Sequence, residues 1–138
     1  MALTTILGAG GTISHELVKI LSPKGTPMRL VGRNPKPVAG AEVLTADISD
    51  ANQAIKAISG SSTVHLLLGL KYDVKVWQQL WPRIMANTIE ACKRAGLRCV
   101  AVTWGYNSGT VLAAQGPLAM IDQPGELLGL VADRESRG

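Results

Sequence analysis

Short apolar runs and helically spaced apolar positions alternate along the whole chain. Leu3–Leu7 is a strand-like run. Ile13, Leu17 and Leu21 then recur every four residues, which predicts a helix over Thr12–Leu21. The cluster Ser22-Pro23-Lys24-Gly25-Thr26-Pro27 ends it. Met28–Val31 predicts a second strand closed by Gly32, and Glu42–Ala46 a short third one, with Asn34-Pro35-Lys36-Pro37 as an exposed loop between them. Asp50 can cap a helix running to about Ile58, with Ala54, Ile55 and Ile58 inward. After the turn Gly60-Ser61-Ser62, the continuous apolar run Thr63–Leu68 predicts a central parallel strand buried on both faces.

Val74–Ala95 predicts a long helix. Trp77, Leu80, Trp81, Ile84, Met85, Thr88, Ile89 and Cys92 share its broad face, Pro82 should kink or restart it, and Gly96 closes it. Arg98–Val102 predicts a fifth strand, Trp104–Gly109 a loop, Thr110–Gln115 a short helix and Ala119–Ile121 a sixth strand. Pro124–Val131 predicts a last helix, and Arg134–Gly138 should fray. Strands that alternate with helices predict an α/β fold, a Rossmann-like doubly wound parallel sheet in a single domain spanning residues 1–138. Right-handed crossovers give the strand order 3-2-1-4-5-6. Ligands in such sheets bind beyond the carboxyl ends of the strands, where the order reverses between strands 1 and 4.

Composition narrows the function classes. The chain has 138 residues and a net charge of +4, with no Phe, so Leu, Val, Ile and Ala must fill the core. No apolar run approaches the roughly 20 residues of a membrane span. The strand-like N-terminus lacks the basic-then-apolar order of a secretory signal, so a cytoplasmic location is expected. Lys and Arg are scattered and not interleaved with aromatics, which argues against nucleic acid as a partner. Cys92 and Cys99 are too few for a disulfide scaffold and read as reduced thiols. His15 and His65 have no Cys, Asp or Glu at ligand spacing, so no metal site is expected. Ser14-His15-Glu16 is no triad, because successive helix residues do not face each other. Trp77 and Trp81, one turn apart, read as core anchors.

The chemistry-bearing stretch is Gly8-Ala9-Gly10-Gly11-Thr12-Ile13-Ser14, set between the first strand and the first helix. Glycines let backbone approach a pyrophosphate, and the unpaired N–H groups of a helix start favour anions. Gly8, Gly10, Gly11, Thr12 and Ile13 are therefore candidate pyrophosphate contacts.

Two family resemblances meet in this chain. Gly8-x-x-Gly11-x-x-Ser14, Val31-Gly32-Arg33-Asn34-Pro35, Ala46-Asp47-Ile48, Leu68-Gly69-Leu70-Lys71-Tyr72 and the segment from Trp77 through Asn87 to Cys92 resemble the extended short-chain dehydrogenase/reductase family over residues 1 to about 95. Ser14 stands where that family usually has a third glycine. Glu90 to Asn107, followed by Gly116-Pro117, Met120-Ile121-Asp122 and Glu126-Leu127-Leu128, resembles the C-terminal part of phosphoglycolate phosphatases, of the haloacid dehalogenase-like superfamily. The two meet near Ala91–Gly96, where both superfamilies place a helix ending in Ala-Gly. This juncture points to an engineered or recombined chimera, with a dehydrogenase-like part (1–95) and a phosphatase-like part (96–138).

Neither resemblance brings its catalytic set. The reductases use a Tyr-x-x-x-Lys pair to move a proton, but Tyr72 is followed four places on by Val76 and Tyr106 by Thr110. The phosphatases use an Asp-x-Asp pattern after the first strand, which here ends in glycines. No catalytic residue is assigned and no enzymatic activity is expected; Trp104, Tyr106 and Asn107 read as loop packing. A dinucleotide is the expected partner. An NAD binder presents an acid after strand 2, whereas this chain has Arg33 and Asn34, which suit the 2′-phosphate of NADP. By the same resemblance Asp47 and Ile48 would border adenine, and Leu68 and Gly69 the nicotinamide ribose. The expectation is a scaffold with residual NADP binding; the alternatives are a small NADP-dependent reductase and an NADP-binding sensor.

Overall fold

The computed structural model describes residues 2–70, 73–103, 109–114, 116–127 and 129. Tyr72, Trp104, Tyr106, Asn107 and the segment expected to fray lie outside the described residues, as does part of the expected last helix. The chain forms two compact units, Met1–Leu97 and Arg98–Gly138.

The first unit is a parallel α/β layer structure. Its strands are β1 (Thr4–Leu7), β2 (Met28–Gly32), β3 (Ala41–Thr45) and β4 (Thr63–Leu66), in the order β3-β2-β1-β4. Every pairing is parallel, with Ile6 opposite both Leu30 and His65. The helices are α1 (Thr12–Leu21), α2 (Ala51–Ile58) and α3 (Val74–Arg94). Ile6, Leu7, Leu30, Val31, Ala54, Ala57 and Ile58 form the core. The hydroxyls of Thr5 and Ser61 satisfy each other by a hydrogen bond inside it. Arg29 donates to the carbonyls of Ala57 and Ser59 and pairs with Glu42, which ties the α2 end to the sheet.

Several boundaries and faces differ from expectation. Ile13, in phase with Leu17 and Leu21, is 68% exposed, and Ser14 is the buried residue of α1. β4 stops at Leu66 and is half-buried along most of its length, unlike the run to Leu68 buried on both faces. Beyond it, the Leu67 N–H still donates to the Leu7 carbonyl at 2.8 Å, and the Leu67 and Leu68 backbone passes over Gly8. α3 runs through Pro82 without a break. Both Pro82 and Gln78, whose carbonyl loses its helical donor, are exposed, so water can satisfy that carbonyl. Met85, placed on the apolar face, is 42% exposed.

The second unit pairs β5 (Val100–Val102) with β6 (Ala119–Ile121) in parallel, with α4 (Gly109–Ala113) between them. The expected neighbours 3-2-1-4 and 5-6 are thus present, but as two sheets.

Candidate functional site

The carboxyl ends of β1, β2, β3 and β4 open on one cavity of about 520 Å³, within the range of small-molecule and cofactor sites, ~300–1,000 Å³. Gly8 and Ala9 begin its floor. The Val31 carbonyl accepts both of their N–H groups, at 2.9 and 3.0 Å, so the glycine turn is tied to β2. Gly8 has φ +98°, and a Cβ there would lie 2.7 Å from the Leu67 and Leu68 backbone, so only glycine fits. Gly10 has φ +99° with open space where a side chain would stand. Gly11 is the N-cap of α1 in an extended conformation, and no side chain caps the helix start. An uncapped helix N-terminus beside left-handed glycines is the backbone cradle that a pyrophosphate requires.

On the other flank, β2 and β3 stay paired until the Ala46 N–H meets the Gly32 carbonyl at 3.0 Å. The next residues, Arg33 and Asp47, therefore leave the sheet side by side and both line the cavity. Asp47 accepts hydrogen bonds from the Ser49 hydroxyl at 2.6 Å and the Ser49 N–H at 3.0 Å. These hold its carboxyl below the ordinary value, and the Arg33 guanidinium adds a smaller push in the same direction. Asp50 caps α2 by accepting from the Gln53 N–H, and Gln53 in turn accepts from the Asp47 N–H at 2.8 Å. These bonds join the turn after β3 to the start of α2. Ile48 projects into the buried interior at its centre.

Gly8, Gly11, Arg33, Asp47, Ile48, Leu68 and Gly69 of the expected site residues come together around this cavity. Gly10, Thr12, Ile13 and Asn34 are exposed beside it and are not part of its lining. The cavity also takes Ala9, Gly32, Ala46, Ser49, Leu67, Leu70, Leu80 and Ile84, which sequence reasoning did not single out. For Ala9 and Gly32 adjacency to the glycine turn and to Arg33 was a usable signal. For Leu80 and Ile84 there was none, since helical spacing marks a buried face and not which buried residues meet a cavity. Among the described residues no group of His, Cys, Asp and Glu could hold a metal ion. No helix among them is long and apolar enough to cross a membrane.

Residues 8–123 match the family described as NAD(P)H-binding. The chain belongs to that family. It is similar to a Rossmann-fold NAD(P)-binding family protein from Shigella flexneri, with a TM-score of 0.65 and 20% identity, over 87% of this chain and 66% of that one. It is also similar to a mutant of uronate dehydrogenase from Agrobacterium tumefaciens complexed with NAD, with a TM-score of 0.62 and 26% identity, over 78% of this chain and 44% of that one. Curated relatives carry a different name. Phosphoglycolate phosphatase of Pectobacterium atrosepticum is 27% identical over 130 residues, 88% of this chain and 54% of that protein. Phosphoglycolate phosphatase 1 of Pseudomonas aeruginosa is 45% identical over 42 residues, 30% of this chain and 15% of that protein. The chain thus spans about half the length, or less, of the curated relatives it matches. The family match, over residues 8–123, spans residues 91–96, where the two resemblances meet.

Proposed function

We propose that this chain binds NADP(H) across the carboxyl ends of its first four strands and that the chain by itself carries no catalytic group for turning it over. The observation that carries the reading is the convergence of the Gly8–Gly11 turn and Arg33 on one cavity. The turn and the α1 N-terminus would hold the pyrophosphate, with Thr12 and Ile13 contributing N–H groups at the helix start. Arg33, with Asn34 beside it, would take the adenosine 2′-phosphate. Asp47 and Ile48 would border adenine, and Leu68 and Gly69 the nicotinamide ribose. When bound, such a cofactor supplies hydride chemistry; the residues of this chain would bind and orient it.

Calorimetric titration with NADPH and NADH tests the reading. Charge-assisted hydrogen bonds to a phosphate are worth roughly 1.5–3 kcal/mol, so NADPH should bind about tenfold or more tightly. Arg33→Ala should remove most of that gap and leave NADH binding nearly unchanged. A full NADPH preference in Arg33→Ala would refute the assignment.

Two further readings have support. The dehydrogenase among its structural relatives favours a reductase, for which NADPH turnover with a panel of carbonyl compounds is the test. A recombined origin rests on the 45% identity over 42 residues, and both the family match over residues 8–123 and the phosphatase match over 88% of this chain oppose it. Sequencing the source genome across codons 85–100 decides between a natural gene and an assembled one.

A further inference from the structure

We propose that Asn87 on α3 is a positioning residue for the adenosine end of the cavity: by holding the turn after β3 it sets the wall against which the adenine would lie. This rests on the dinucleotide reading above. The Asn87 side-chain Nδ2 donates to the Ile48 carbonyl at 2.9 Å, in a half-buried bond across 39 residues of sequence. Ile48 belongs to the turn Ala46–Ser49, all four residues of which line the cavity. The turn's other hydrogen bonds are local, to Ser49, Asp50 and Gln53, or run back to the sheet through Gly32. Asn87 supplies a hydrogen bond that ties this turn to α3.

The spacing on α3 makes the tie consequential. Leu80 and Ile84 line the cavity directly, and Asn87 follows at the next turn of the same face. The Thr88 hydroxyl donates to the Ile84 carbonyl at 2.7 Å, inside the same buried stretch. One helix face therefore forms a wall with two side chains and fixes a second wall with a third. A side chain that donates to a main-chain carbonyl fixes backbone position directly, independently of what occupies the Ile48 side-chain pocket.

The test is binding of NADH and of its hypoxanthine analogue to the full chain, comparing wild type with Asn87→Asp and Asn87→Ser. Asn87→Asp is nearly isosteric but presents an acceptor to the Ile48 carbonyl. Asn87→Ser stays polar but is too short to reach it, and stands in should Asn87→Asp fail to fold. A neutral hydrogen bond of ordinary strength corresponds to about a fivefold to tenfold change. NADH affinity should fall by that factor, and the preference for adenine over hypoxanthine should shrink with it. The backbone amide resonances of Ile48 and Ser49 should shift in the ligand-free variants. A merely structural role would weaken both ligands equally, and that result overturns the proposal. Unchanged NADH binding in a folded variant overturns it too, while leaving the dinucleotide reading intact. A wild-type chain that binds neither ligand overturns both.

Discussion

At the scale of the residue, two glycines of one turn make opposite demands. Gly8 has both a left-handed backbone and the β4 extension pressed against it, whereas Gly10 has the backbone alone. Gly10→Ala should therefore cost about 1 kcal/mol. Gly8→Ala should cost clearly more, on the order of 3 kcal/mol or above, because main chain cannot yield to a 2.7 Å contact. Urea denaturation of the two variants reads the difference, and equal losses would refute the packing argument. The motif told the sequence reader that glycines were needed here. It did not say which of them sterics enforces, because that depends on where Leu67 and Leu68 pass. Ile13 teaches the converse. Its spacing with Leu17 and Leu21 is that of an apolar face, yet Ser14 is the buried residue of the helix and Ile13 faces out.

At the scale of the element, β4 carries a titration. His65 is half-buried, and burial holds its imidazole below the ordinary value of 6.5. The folded state disfavours the imidazolium, so below about pH 6.5 the unfolded chain binds more protons. Stability is then full above that value and falls as the pH is lowered from it toward the folded-state value. Thermal melting between about pH 7.5 and 5.5 should show this decline, and His65→Gln should flatten it. A decline that survives in His65→Gln would assign the effect elsewhere. Elements of this kind were legible from apolar runs and turn signals: each of the six strands lies within a residue or two of its expected place. What periodicity could not show was pairing. Thr63–Leu68 reads as a strand flanked on both sides, because composition reports burial potential and not whether a neighbouring ladder forms.

At the scale of the whole molecule, the residues that line the cavity all lie between Gly8 and Ile84, within the unit Met1–Leu97. The proposed binding function should therefore travel with that unit. A fragment of residues 1–97 is expected to fold with the four-stranded sheet and to bind NADPH within about threefold of the full chain, a loss of less than ~1 kcal/mol. Circular dichroism and titration check this; a folded fragment that does not bind would show that residues beyond Leu97 are needed.

The double hydrogen bond at the Val31 carbonyl has a consequence for motion. The glycine turn is fastened to the interior of the sheet, while α1, which follows it, buries only Ser14. Turn and helix are therefore held by separate restraints, and local opening can loosen one without the other. In hydrogen–deuterium exchange the Gly8 and Ala9 amides should be slow, near the rate of global unfolding, while those along α1 exchange orders of magnitude faster. Anion binding at the helix start should slow α1 and leave Gly8 and Ala9 almost as they were. The strand end then acts as a fixed anvil, and the helix as the part that a ligand brings to order.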